Sequence, residues 1–473
     1  MLFNSYLFIF VFLPITFILF YAIGARSNRW ARFFLLFASF VFYGYWNPSY
    51  VPLLLVSIVV NFTLGTYLSN EARRGRKVWL TVGIAFNVGL IAYFKYYDFF
   101  IDNVNVLFGL DLPMKELLLP LAISFYTFQQ IAYLVDSYRL ETKGYDLFRY
   151  GLFVSFFPQL IAGPIVHHGH VMPQFERSST YRMQAKSIAS GLFIFSLGLF
   201  KKVGIADALA RYASEGYRLV DRLTVLDSWL TTTAYTFQIY FDFSGYSDMA
   251  IGLGLLFNIR LPQNFNSPFQ AVSIQDFWRR WHMTLSQFLT KYIYFPLGGS
   301  RKGVSRTYVN IFLVFLISGI WHGAAWTFVI WGVLHGVASI IYRIWSKGPI
   351  RLPKWAAWFV TFSFIHLSFV MFRAKSVADA LAVYGAMFGL NGYDSLDVVA
   401  SMNRNPVGYA LESPFLFVLL FGTAIGVSFF ASNSIDWLRR EKRSIGWAVG
   451  TAVLFVYAVG HLQQVSEFLY FNF

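Results

Sequence analysis

Apolar residues run along this chain in long blocks, interrupted by short polar breaks. The blocks at 2–23, 50–69, 78–97, 185–200, 308–332, 355–372, 414–431 and 445–460 are long enough, or nearly so, to cross a bilayer. A crossing takes about 20 apolar residues of helix. Polarity within the blocks does not alternate, so they read as helices and not as barrel strands, and a backbone in lipid has to satisfy its own hydrogen bonds. The pattern predicts an all-α polytopic membrane protein. Residues 1–473 read as one integral-membrane domain, with no soluble appendage long enough to be separate. The first block lacks a basic leader region and a small-residue cleavage site, and it reads as a retained first helix.

Two places depart from simple spans. The Asn47-Pro48 step divides residues 33–69 into two pieces and supplies a turn. Residues 258–307 hold Pro262, Pro268, Pro296, Gly298 and Gly299 around the charged run SIQDFWRRWH. This stretch is too polar to span, and it predicts an amphipathic or re-entrant segment. Ser273 is placed to cap its helix and Asp276 falls in the first turn. Non-helical backbone at membrane depth must be buried in protein or line a wet cavity, so a funnel or tunnel follows.

Composition agrees with this picture. The chain is 57% hydrophobic, 21% aromatic and 13% charged, against about 25% charged in soluble domains. It contains no cysteine, which excludes disulfides, thiolate zinc sites and cysteine nucleophiles. The net charge of +15 is concentrated in short loops: Arg26 to Arg32, residues 71–77, Arg301 to Arg306, Arg343 to Lys354 and Arg439 to Arg443. Basic loops stay cytoplasmic. The positives flank apolar spans and do not form one patch, which argues against a nucleic-acid partner. With loops 25–32 and 71–77 both inside, the N-terminus and residues 101–116 fall outside. No fixed-period repeat or inverted pair of halves is visible, which weakens a secondary-transporter reading.

The chemistry-bearing residues are few. His322 lies in SGIWHGAAWTFVIWGVLHG, an ionisable group among apolar and aromatic residues, flanked by Gly319 and Gly323. An imidazole held at membrane depth reads as functional, because its placement costs free energy, and an unperturbed imidazole titrates near neutral pH, which suits a general base or proton relay. The plain alternative is a packing histidine bonded to a helix carbonyl. His335 follows at a helical spacing that would share a face with His322. His282 follows Arg279 and Arg280, and Lys291 lies downstream. The arginine pair suits either lipid headgroups or a phosphate-bearing ligand. Asp242 and Asp248 read as structural partners inside the bundle, with Arg279 or Arg260 as counter-ions. His167, His168 and His170 have a spacing that could hold a metal, but Pro164 and Pro173 bracket them in a loop, so they read as solvated loop histidines and no metal is expected. There is no G-x-S-x-G elbow, Walker A motif or H-E-x-x-H.

The runs FDFSGYSDMAIGLGLLFNIRLPQNFNSPF, SIQDFWRRWHMTLSQFLTKYIYFPLGG and GIWHGAAWTFVIWGVLHG, with SFFPQLIAGPIVH, MFRA and the final EFLYFNF, closely resemble the membrane-bound O-acyltransferase family. The match is to the bacterial branch typified by the alginate O-acetyltransferase membrane subunit. It covers the whole chain and is richest in motifs over 235–340. The resemblance implies a ring of about a dozen transmembrane and re-entrant helices around a central tunnel. It implies that His322, in the WHG motif, is catalytic and that His282, in the RWH motif, is the second active-site histidine. It further implies acetyl-CoA as cytosolic donor, with Arg279, Arg280 and Lys291 as residues for its phosphates. The location implied is the bacterial inner membrane. The outlet would be O-acetylation of an exopolysaccharide such as alginate, through periplasmic acetyltransferase partners; cellulose or another cell-surface glycan is the alternative acceptor. In this scheme His322 takes the hydroxyl proton, and His282 or a tryptophan N–H stabilises the oxyanion. A non-catalytic acyl-group channel is the rival from another class.

The charge pattern yields a topology test. In intact cells, an impermeant thiol reagent is expected to label a single cysteine placed at Asn105 and to spare one at Gly75. The opposite pattern would invert the orientation.

Overall fold

The computed structural model describes residues 1–142, 144–393, 414–440, 444–462 and 469. Residues 441–443, with the basic Lys442 and Arg443, and most of the C-terminal EFLYFNF lie outside that range. Every regular element among the described residues is helical. Among the described residues, six helices are long and apolar enough to cross a membrane: Pro48–Leu68, Arg76–Phe108, Ala185–Arg218, Val304–His322, Trp326–Trp345 and Lys354–Arg373. A bent pair, Phe417–Phe430 with Ser434–Arg440, would make a seventh. The chain is thus an all-α polytopic membrane protein, as its pattern predicts. In Arg76–Phe108 only 11% of the most apolar window is buried, against 67% in Ala185–Arg218. The first therefore leaves most of its apolar surface exposed, and the second packs against protein.

The chain forms two compact units. One comprises residues 1–196 with 246–263, and the other 197–245 with 264–473. In the first, Asn47 caps the short turn Pro48–Tyr50 by accepting the Ser49 N–H at 3.0 Å, so the Asn47-Pro48 step separates two helices as expected. Ser57, Asn61, Asn87 and Gln130, all buried, join three helices. The two asparagines exchange bonds of 3.2 and 2.6 Å, and Gln130 Oε1 accepts from Ser57 Oγ at 2.6 Å and Asn61 Nδ2 at 3.1 Å. Such side-chain bonds between helices take the place of the hydrophobic effect, which is absent between helices in lipid.

The GPIVHHGH loop of the same unit corrects the sequence reading. Only His170 is exposed; His168 is 1% exposed. His167 and His168 both turn their Nε2 atoms to the buried Asp136 carboxylate, at 2.6 and 3.0 Å. The ligand atoms of these three residues lie close enough for a metal. However, the Gly169 backbone N–H donates to His167 Nδ1 at 3.1 Å. The ring's proton therefore sits on Nε2, where a metal would need a lone pair. The cluster is a hydrogen-bonded staple that fixes the loop to helix Ile123–Tyr138. The loop reading failed because nothing local shows that Asp136, some thirty residues away, lies beneath it.

In the second unit, the apolar block 308–332 is not one span. Helix Val304–His322 ends, residues 323–325 turn, and Trp326–Trp345 returns against it. The helices approach closely at Gly319, where an added Cβ would lie 2.4 Å from the Phe328 carbonyl oxygen. At the turn, a Cβ on Gly323 would lie 2.1 Å from the Phe328 ring. His335 consequently sits on a different helix from His322, and the single shared face expected from spacing does not exist. Asp242 also has a different partner from the arginines proposed. The buried Lys202 Nζ lies 2.6 Å from Asp242 and 2.7 Å from Asp207, and Asp242 Oδ2 accepts the Leu469 N–H at 3.0 Å. A π-helical segment, Lys201–Ala206, carries the lysine.

Breaking a buried ion pair from one side costs about 3–5 kcal/mol, because a charge is left uncompensated. Lys202→Met is therefore expected to lower the thermal unfolding midpoint markedly in detergent, and adding Asp207→Asn and Asp242→Asn to restore part of it. His168→Ala is likewise expected to destabilise, whereas His170→Ala leaves the midpoint unchanged. Equal midpoints for His168→Ala and wild type would remove the staple.

Candidate active site

Within residues 258–307 a short helix forms with the cap that the sequence predicts. Ser273 Oγ accepts the Asp276 N–H at 3.0 Å and caps helix Ile274–Arg280. Residues 264–266 run back beside it. The Asn266 N–H donates to the Arg280 carbonyl at 2.9 Å, and the Met283 N–H to the Asn264 carbonyl at 2.9 Å. Between these two bonds the backbone of His282 is forced into the left-handed region, φ 42° and ψ 53°. That conformation costs a non-glycine residue about 1–3 kcal/mol and is typically kept where function needs it.

The turn drives the His282 side chain into the protein, where it is 0% exposed. Phe243 meets the ring edge-on at 4.8 Å. Asn264 Oδ1 lies 3.1 Å from His282 Nδ1. The same oxygen accepts the Thr284 N–H at 3.2 Å and the Thr284 hydroxyl at 2.9 Å. A backbone N–H can only donate, so the Asn264 atom is the carbonyl oxygen and not the amide nitrogen. His282 Nδ1 must then carry a proton and donate it. In the neutral ring this leaves the lone pair at Nε2. A neutral His282 therefore offers a proton acceptor at its far nitrogen, which disagrees with an oxyanion-donor role for that ring.

His322 is the last residue of helix Val304–His322 and is 2% exposed. Its ring is surrounded by aromatic edges: Trp321 at 5.0 Å, Trp331 at 5.2 Å and Phe372 at 5.2 Å. Trp321 also lies 6.1 Å from the His282 ring. The structure thus brings the two sequence-predicted histidines, forty residues apart in the chain, onto one shared tryptophan. His335 is a packing residue behind this shell. Its Nδ1 accepts the Trp278 indole N–H at 3.2 Å. Its Nε2 donates to Ser368 Oγ at 3.1 Å, that hydroxyl's own proton going to the Ile365 carbonyl at 2.8 Å.

The cationic residues divide. Arg280 is half-buried and bonded to Asp276 at 2.9 Å, Arg279 is exposed, and the Lys291 ammonium lies 5.2 Å from the Tyr292 ring centre. A cavity of about 430 Å³ opens nearby, with Trp278, Thr290, Ser318, Arg343 and Lys347 in its wall. Asn264, Trp331 and Phe372 were missed in the sequence. Asn264 is eighteen residues from His282 in a proline-rich loop, and no spacing rule pairs the two. The tryptophan and phenylalanine are hidden among many other aromatics.

Comparison with known proteins bears on this site. Residues 40–376 match the profile described as MBOAT, membrane-bound O-acyltransferase family. The chain is 42% identical to the peptidoglycan O-acetyltransferase of Helicobacter pylori, covering 100% of this chain and 98% of that protein. It is 36% identical to a Pseudomonas putida protein named probable alginate O-acetylase AlgI, with both chains covered in full. It is 29% identical to the teichoic acid D-alanyltransferase of Bacillus subtilis, over 56% of this chain and 71% of the relative. The matched region contains both buried histidines, the tryptophan between them and the left-handed turn that places His282. The chain belongs to the membrane-bound O-acyltransferase family and is a multi-pass membrane O-acyltransferase.

Proposed function

We propose that this protein transfers an acetyl group from acetyl-CoA, taken up on the cytosolic side of the bacterial inner membrane, for O-acetylation of a cell-envelope or secreted polysaccharide. The observation that carries the reading is the pair of buried imidazoles, His282 and His322, on one tryptophan. A hydroxyl is a poor nucleophile until a base removes its proton, and an acyl transfer needs a base early and an acid late. Two imidazoles in a water-poor shell supply both roles. His322 takes the hydroxyl proton. His282, oriented by Asn264, assists the proton's passage to the departing thiolate.

Burial also protects the thioester from hydrolysis. The donor's phosphates meet the basic residues of the re-entrant segment, Arg279, Arg280 and Lys291, with Arg280 steadied by Asp276. The cavity beside Trp278, with Arg343 and Lys347 in its wall, has room for the donor's narrow arm. The acceptor is a polysaccharide hydroxyl reached directly or through a periplasmic acetyltransferase partner. The relatives named for peptidoglycan and for alginate mark the two polymers to examine first.

General base catalysis contributes about a hundred- to ten-thousand-fold in rate. In a deletion strain, His322→Ala is expected to remove nearly all ester-linked acetate from the modified polymer while expression and thermal unfolding stay near wild type. His282→Ala is expected to reduce it strongly. Alkaline release of acetate, measured separately on purified peptidoglycan and on secreted polysaccharide, names the acceptor. Near-normal acetylation by well-expressed His322→Ala protein would leave a channel as the better reading.

A further inference from the structure

Trp331 is 2% exposed, and its indole N–H has no hydrogen-bond acceptor among the described residues. Other tryptophans of the same unit are satisfied. Trp278 donates to His335, Trp229 to the Met387 carbonyl at 3.0 Å and Trp358 to the Phe269 carbonyl at 2.9 Å. A buried donor left without an acceptor is rare in folded proteins and calls for a reason. This one stands beside His322: the rings are 5.2 Å apart and nearly perpendicular, at 85°. The indole is further packed by His335 at 4.5 Å, Phe372 at 5.2 Å and Trp278 at 5.7 Å. One turn earlier on the same helix, Thr327 is 1% exposed and its hydroxyl is also without a partner. Residues four apart share a helix face. The helix that returns from the WHG turn therefore carries two buried, unsatisfied donors, one of them against the His322 ring.

We propose that Trp331 is the oxyanion donor of this site, its indole N–H reserved for the oxygen that becomes negative during acyl transfer. The assignment rests on the acyl-transfer reading above. The step balances without any further reagent. The acceptor's hydroxyl oxygen bonds to the thioester carbonyl carbon, and the hydroxyl proton passes to an imidazole. The carbonyl π electrons move onto oxygen, which takes the Trp331 N–H bond. The carbonyl then re-forms, the carbon–sulfur bond breaks, and the thiolate receives the proton from the imidazolium. Ester and free thiol are the products. An indole suits the task because it donates and cannot accept, so it cannot compete with the histidines for the proton. Its rigid ring, wedged among three others, needs no reorganisation as charge develops. The neutral tautomer of His282 fits this division, since that ring presents a lone pair to the site and leaves the donor's part to another group.

The test removes the N–H, together with the indole's second ring. Trp331→Phe keeps an aromatic ring against His322. Purified full-length protein in detergent is assayed with acetyl-CoA and a soluble oligosaccharide acceptor, following thiol release and ester formation. Loss of one oxyanion donor lowers kcat by about 10²–10³-fold. That drop is expected in Trp331→Phe, with the donor KM and the unfolding midpoint close to wild type. A purely packing role would shift the midpoint and leave kcat unchanged, and that result overturns the proposal. A rise in KM at unchanged kcat also overturns it, by making Trp331 a ground-state contact. Should the Phe variant not accumulate, Trp331→His is compared with Trp331→Leu. The ring that keeps an N–H is expected to retain the greater turnover, and equal turnover counts against the proposal. Absence of transfer by the wild-type protein itself would instead strike the acyl-transfer reading and is distinguishable from either outcome.

Discussion

A polar group held away from water has to find its partner within the protein, and most of this structure follows from that one requirement. It makes the spans helical, because only a helix satisfies its own backbone in lipid. It ties Ser57, Asn61, Asn87 and Gln130 across three helices. It places Lys202 between two carboxylates, and it sets two histidines of a loop upon Asp136. In the active site it does something finer. By accepting a backbone N–H, the Asn264 carbonyl oxygen compels His282 to donate from Nδ1, and the tautomer of this buried ring is fixed by a neighbour's backbone. Of the buried donors for which the requirement is unmet, Trp331 and Thr327 share a face of the helix that returns after His322, and Trp331 stands against that ring.

The parts legible in the sequence were those written locally. The apolar blocks gave the helical membrane class, the Asn47-Pro48 step gave a turn, and Ser273 with Asp276 gave the start of the re-entrant helix. His322 and His282 stood out because an imidazole among tryptophans is costly. The parts not legible depend on pairs far apart in the chain. Asp242 was assigned an arginine and found Lys202, because the buried lysine lies forty residues upstream and nothing in its own surroundings marks it. The loop histidines were read as solvated because two prolines bracket them, and Asp136 outweighed that signal. The break at 323–325 was missed because Gly-Ala-Ala interrupts neither hydropathy nor charge. It is nonetheless what turns the helix just after His322 and brings Trp331 back against it.

The turn after His322 and the left-handed backbone at His282 serve a common end. Each carries a side chain from the end of a helix into the same aromatic shell, where regular helical packing would have pointed it along a face. Rigid surroundings of this kind favour preorganised donors and acceptors over mobile ones. They also leave the shell with few ways to compensate for a lost imidazole, since the neighbouring indole and phenyl rings cannot accept a proton.

The central claim is that thioester cleavage and ester formation occur at this histidine pair, not that an acyl group merely passes through the protein. The direct measurement is stoichiometry in a single turnover: free thiol released from acetyl-CoA by the reconstituted protein, counted against acetyl ester formed on the acceptor. The account predicts one thiol for each ester, appearing together and both lost when His322 is replaced. Ester formed on the far side at an undiminished rate by the His322 variant, or acetyl-CoA crossing the membrane uncleaved, would contradict it.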